Sequence, residues 1–226
     1  MNLRARLRRP ASPAAAAYAK AALPPLGADW RAARWAVVDL ELTGLDARRD
    51  EIISLAVVPV DGGRVRAGDA LYRVVRPRRP PSPESIEIHG ILPGDLAAAP
   101  SLEEVVDELL AALSGRRLVA HAAFVERAFL EPALRARGVG LRGEILDTQL
   151  LARAWVAERT GARAERLTLG ALAAELGLPV ERAHHALGDA LTTAQAFLAL
   201  ASHLEHAGGL TVRALLGAQA RARGRA

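Results

Sequence analysis

Four acidic residues and one histidine, spread over the stretch from Asp39 to Asp189, carry side chains that could together cleave phosphodiesters. Asp39 and Glu41 sit in Trp35-Ala-Val-Val-Asp-Leu-Glu-Leu-Thr-Gly-Leu45, an apolar run that reads as a buried strand. Side chains alternate across a strand, so residues two apart share a face. Two carboxylates side by side at a buried strand end repel each other and resist desolvation, and a divalent cation is the simplest compensation. Further on come Glu126, in Leu118-Val-Ala-His-Ala-Ala-Phe-Val-Glu-Arg-Ala-Phe-Leu130, and then His184 and Asp189, in His184-His-Ala-Leu-Gly-Asp-Ala190. Phosphodiester hydrolysis needs a water nucleophile, neutralisation of developing charge, and help for a departing alkoxide. Two divalent ions about 3.5–4 Å apart supply all three, and a nearby histidine can take the proton from the attacking water. The chain has no cysteine, so any metal must be held by oxygen and imidazole ligands, which suits Mg²⁺ or Mn²⁺.

These residues need elements to hold them. Three β-like runs come first, Trp35–Leu42, Ile52–Val60 and Ala70–Val75, with Asp61-Gly-Gly63 as a hairpin-type turn between the last two. Antiparallel pairing of the three is the natural expectation. Arg76-Pro-Arg-Arg-Pro-Pro-Ser-Pro83 reads as a loop, since so many prolines cannot sit in a central strand. A helix follows from a Ser101 cap, with Glu104 at the capping-box position, through Leu113 to a stop at Gly115. Then strands and helices alternate: strand Arg117–Ala120, helix Phe124–Arg137, strand Glu144–Thr148, helix to about Arg159, helix Leu167–Leu176, and a long amphipathic helix Ala186–His206. The order implies an α/β protein whose mixed central sheet is flanked by helices.

The motifs DxE (Asp39, Glu41), HxxxxE (His121, Glu126) and HxxxxD (His184, Asp189), in this order, resemble the DnaQ-like DEDDh 3′–5′ exonucleases. The epsilon proofreading subunit of bacterial DNA polymerase III is a member type of that family. The likeness covers roughly residues 35–206 and implies a ribonuclease H-like fold. It also implies that Asp39, Glu41, Asp189 and Glu126 bind two divalent cations, with His184 as general base. The backbone at Leu42, Thr43 and Gly44, with His89 and His121, would then lie beside the terminal nucleotide. Two positions depart from the family pattern. Glu126 stands where an Asp is usual, and Ala122 where a His-Asn pair would place Asn.

Each residue also has a plainer reading. Asp39 and Glu41 could be a solvent-facing strand-end pair, and Asp189 a helix N-terminal acid favoured by the dipole. His185 competes with His184, although the spacing to Asp189 selects His184. His121 divides evenly between the site and a satisfied strand-end histidine. Asp147 reads better as a helix cap than as a site residue, and His203 and His206 as surface residues.

The net charge of +5 is uneven. Residues 1–34 carry seven Arg or Lys against one Asp, and 207–226 carry four Arg and no acid, which leaves the middle at −5. The expected organisation is a flexible basic leader over 1–30, an exonuclease domain over 31–206 and a basic tail over 207–226. Such ends either bind polyanions or are simply solvated. No apolar run reaches membrane length, and prolines interrupt any secretory segment, so a cytoplasmic protein is expected. The implied partner is a single-stranded DNA or RNA 3′ end, with a DNA polymerase subunit as a further candidate. DNA and RNA are not separated by any residue here. A non-cutting module that holds nucleic-acid ends or a polymerase is the competing reading, and an Arg-rich helical adaptor a third.

Overall fold

A computed structural model describes residues 9–161, 167–206 and 209–224. The basic run at the very start, residues 1–8, lies outside the described residues, as do residues 225–226.

The sheet forms around β1 (Trp35–Leu42), which pairs antiparallel with β2 (Ile52–Asp61). Beyond β2, its outer edge pairs with β3 (Arg64–Val65) at one end and β4 (Leu71–Val74) at the other, both antiparallel. Helices α2 (Pro83–His89), α3 (Pro93–Leu96) and α4 (Leu102–Leu113) follow. On the other side of β1 lie β5 (Arg117–Ala120) and then β6 (Leu146–Asp147), both parallel to it, giving the order β3-β2-β1-β5-β6. Helix α5 (Phe124–Ala136) connects β5 to β6, and α6 (Thr148–Thr160), α7 (Leu169–Glu175) and α8 (Ala186–His203) complete the expected order.

Strand β1 is buried on both faces, and its alternation divides the core. Trp35 and Val37 face one hydrophobic cluster with Trp155, Phe197 and Leu200. Ala36, Val38, Leu40 and Leu42 face the other, with Leu109, Leu113, Leu130 and Leu134. Asp39 and Glu41 continue the Trp35–Val37 face, which is the face that α8 covers. A register shift between Glu41 and Leu42 ends the regular pairing there, a device that re-aims side chains.

The capping expectation at Ser101 holds. Its backbone N–H donates to the Glu104 carboxylate at 2.7 Å, and Gly115 (φ 67°) takes the left-handed turn after the helix. The proline-rich stretch is a loop as far as Ser82, but Ser82 then caps α2, with Pro83 in its first turn.

The ends of the chain need correction. The flexible leader expected over 1–30 is, from residue 9, packed structure. Its helix α1, Pro13–Lys20, precedes β1, is capped by Ser12 and buries Ala15 and Tyr18 against α4. Trp30 is buried edge-to-face against Phe197, with ring centroids 5.9 Å apart. The tail carries α9, Val212–Gly224, which packs on α6. The two ends clasp each other, Trp30 N–H donating to the Leu210 carbonyl at 3.0 Å and Val212 N–H to Ala28 at 3.0 Å. Small apolar residues in both segments find partners on the far side of the sequence, which a local reading cannot supply.

Candidate active site

The parallel strands β1, β5 and β6 all end on one edge of the sheet, the edge where open α/β folds bind ligands. The end of β1 supplies Asp39 and Glu41. Helix α8, starting after His185, brings Asp189 in its first turn to the same place. One carboxylate oxygen from each of these three lies within 4.8 Å of the others. Glu126, in the first turn of α5, is 4% exposed and its Oε2 has no hydrogen-bond partner.

The electrostatics follow from four carboxyls brought together, Glu41 and Glu126 buried and Asp39 and Asp189 half-buried. Burial, then Glu126, Glu41 and Asp189, push the Asp39 carboxyl well above the usual carboxylate range. Burial and Asp189 raise Glu41 to about 7. Burial raises Glu126 to about 8 and also raises Asp189, the latter opposed by the His184 N–H and the two neighbouring imidazoles. A divalent cation among these oxygens would reverse every one of these shifts. The orphaned Glu126 Oε2 and the all-oxygen donor set fit a hard cation.

His184 is exposed on the turn before α8, at φ 55°, and its backbone N–H donates to Asp189 Oδ2 at 3.0 Å. That turn is held close because Gly188 has no side chain, and a Cβ there would overlap the Arg182 carbonyl. His185 faces elsewhere, stacked on Tyr72 with centroids 4.7 Å apart and planes 27° apart.

The other expected residues fall outside the acidic group. His121 has both ring nitrogens engaged, Nδ1 3.0 Å from Thr148 Oγ1 and Nε2 3.1 Å from the Leu167 carbonyl. A carbonyl only accepts, so Nε2 carries the proton, and burial disfavours the charged ring. Both ring nitrogens of His121 are thus satisfied within the fold. Leu42 and Thr43 are buried, Thr43 Oγ1 bonding Asp50 at 3.2 Å and the Glu51 N–H at 2.9 Å. The close approach that Gly44 permits is made by Asp50, whose carboxylate would stand 2.6–2.9 Å from a Cβ. The large apolar side chain that this loop exposes is Leu45, a residue without a role in the motif reading. His89 accepts from the Ile91 N–H at 2.9 Å through Nδ1, while Nε2 is buried without a partner. Asp147 is a cap, as expected, accepting from the N–H groups of Ala122, Ala123 and Gln149 at 2.9–3.1 Å.

Ala122 itself sits at φ 59°, a left-handed conformation that disfavours alanine and that Asn tolerates. Ala122→Asn is therefore expected to stabilise the fold by about 1 kcal/mol, raising the melting temperature by roughly 2–4 °C. A lower melting temperature would show that the side chain finds no room there.

The profile of the exonuclease family RNase_T matches residues 36–197. The chain belongs to this family. It is 38% identical over 183 residues to a DNA polymerase III subunit epsilon-like protein of Rhodobacter capsulatus, a match covering 80% of this chain and 25% of that protein. The chain thus spans about a quarter of that relative's length. Exonuclease X, solved in complex with 5′ overhanging duplex DNA, superposes with a TM-score of 0.63 at 25% identity, over 82% of this chain and 99% of that one. The nuclease domain of 3′hExo, a DEDDh family member bound to rAMP, shares the fold at a TM-score of 0.61 and 17% identity, over 76% and 92% of the two chains. The ribonuclease H-like α/β fold expected from the sequence is the fold found. This exonuclease-family nuclease carries an acidic cluster of the kind that suits the divalent metals of its family. Among the described residues no helix is long and apolar enough to cross a membrane.

Proposed function

We propose that this chain is a metal-dependent 3′–5′ exonuclease acting on single-stranded nucleic-acid ends, DNA foremost. The observation that carries the reading is the convergence of Asp39, Glu41 and Asp189 within 4.8 Å, beside the buried and unpartnered Glu126. In this reading Asp39, Glu41, Asp189 and Glu126 hold two divalent cations, Mg²⁺ or Mn²⁺. When bound, such ions neutralise the charge that develops on the phosphate and favour ionisation of the attacking water.

The chain's own groups do the rest. The Asp189 carboxylate anchors the backbone of His184, which keeps the imidazole at the mouth of the cluster, where it accepts the proton of the attacking water. Glu126 is one methylene longer than the Asp usual in the family, and its place on α5 is set by Asp147, which caps the preceding backbone. The epsilon-like relative supports proofreading or repair beside a polymerase as the setting, with a DNA polymerase subunit as partner.

The test is degradation of 5′-labelled single-stranded DNA and RNA of one sequence, with Mg²⁺ and with Mn²⁺. A ladder shortening from the 3′ end is expected, faster on DNA, and absent with Asp39→Ala. An intact substrate under both metals would overturn the reading in favour of a module that holds ends without cutting.

A further inference from the structure

A cleft of about 610 Å³ opens on the same sheet edge, bounded by α5, α6 and α9, within the size range of small-ligand sites. Three arginines line it, Arg127 from α5, Arg153 from α6 and Arg223 from α9, with Phe124 at its rim. Among the described residues none of the three guanidinium groups makes a hydrogen bond or ion pair. Arg153 is only 9% exposed, yet its unpartnered guanidinium nitrogens are not sealed from solvent, and the residue lines the cleft. Two carboxylates also line the cleft, Glu144 and Asp147. The Asp147 oxygens are already occupied by three backbone N–H groups, and Glu144 is exposed. One arginine is therefore left over by charge, and all three are unbound by geometry.

Phe124 is 65% exposed, the most exposed aromatic side chain to border a cavity here. Residues three apart share a helix face, so Phe124 and Arg127 look into the cleft together, while Glu126 points to the acidic cluster from the other side of the same turn. Guanidinium groups match phosphate geometry in a planar, bidentate way, and an exposed ring offers a sequence-tolerant platform for a base.

We infer that this cleft binds nucleotides of the substrate strand upstream of its 3′ end, Arg127, Arg153 and Arg223 holding phosphates and Phe124 stacking a base. The inference rests on the nuclease reading for the strand's direction. It extends that reading to α9, which lies beyond the family match at residue 197. The same chemistry would also take a free nucleoside monophosphate, so the test must separate the two.

Binding of a fluorescent 12-mer and of adenosine 5′-monophosphate is measured in EDTA, where nothing is cut and a failure of catalysis leaves the result readable. R127Q/R223Q is expected to bind the 12-mer about tenfold more weakly at low salt. Its slope of log affinity against log salt should be shallower by about 1.4, at about 0.7 per phosphate contact on a single strand. Phe124→Ala should weaken the 12-mer by up to about tenfold with the slope unchanged, because stacking releases no ions. R64Q/R66Q, in and just after strand β3 at the opposite edge of the sheet, removes the same charge and is expected to leave the slope nearly as it was. An unchanged slope in R127Q/R223Q, or an equal fall in R64Q/R66Q, overturns the proposal. A loss confined to adenosine 5′-monophosphate makes the cleft a product-nucleotide site and overturns the strand assignment.

Discussion

Asp39→Asn is expected to abolish hydrolysis and, in metal-free protein at pH 8, to raise the melting temperature. The loss of activity follows from removing a ligand of the cations that would neutralise developing charge, an electrostatic contribution worth about 10²–10³-fold or more. The gain in stability follows from the carboxyl cluster. Glu41 and Glu126 are raised from 4.5 to about 7 and about 8, and Asp39 is also raised, by burial first and by mutual repulsion second. Between about pH 4.5 and 8 the folded chain therefore holds protons that the unfolded chain has released. Stability then falls as pH rises through that window, by up to ~1.4 kcal/mol per pH unit for each carboxyl still protonated. Asn removes one of the four repelling groups, and a gain of about 1–2 kcal/mol at pH 8 is expected, or roughly 2–8 °C. Added Mg²⁺ or Mn²⁺ should reverse the ranking, because only the wild type has the full ligand set through which metal binding stabilises the native state. Calorimetry in EDTA and in Mg²⁺ across pH 5–9 checks both signs. A lower melting temperature for Asp39→Asn in EDTA would make Asp39 a structural acceptor instead.

This tension between fold and site explains what could be read from the sequence. Asp39 and Glu41 were legible because strand alternation alone places them on one face, and a buried strand end is a poor place for two carboxylates without a use. The capping box at Ser101 and the stop at Gly115 were equally local. The partners of His121 were not, because Thr148 and Leu167 lie 27 and 46 residues away. The glycine at 44 signalled a close approach, but nothing nearby said that Asp50 would make it. The chain ends were misread for the same reason. Gln219 of α9 is buried, accepts from the Asp147 N–H at 2.6 Å and donates to the Ile145 carbonyl at 3.2 Å. Those bonds tie the C-terminal helix to the strand that caps α5, and so to Glu126, over more than 70 residues of sequence. Composition described that segment only as basic.

His184→Asn is expected to lower kcat by about 10²–10⁴-fold, the usual contribution of a positioned general base. Asn suits the test because the backbone at position 184 is left-handed (φ 55°), a conformation that Asn tolerates and longer aliphatic side chains do not. The substitution thus removes the imidazole while keeping the N–H that holds Asp189. A ring that takes a proton from water must be neutral to do so. The wild-type rate should therefore fall toward acid pH, and His184→Asn should lose this limb of the profile. His185→Asn should cost less than about tenfold, since its ring is committed to Tyr72 and burial lowers its pKa. A merely structural role for His184 would move the melting temperature and leave the pH profile in place. Added imidazole distinguishes the two again, restoring activity to His184→Gly only where the ring is the proton acceptor. If His185→Asn proves the more damaging change, the base assignment passes to His185, and the Tyr72 stack must open for the reaction.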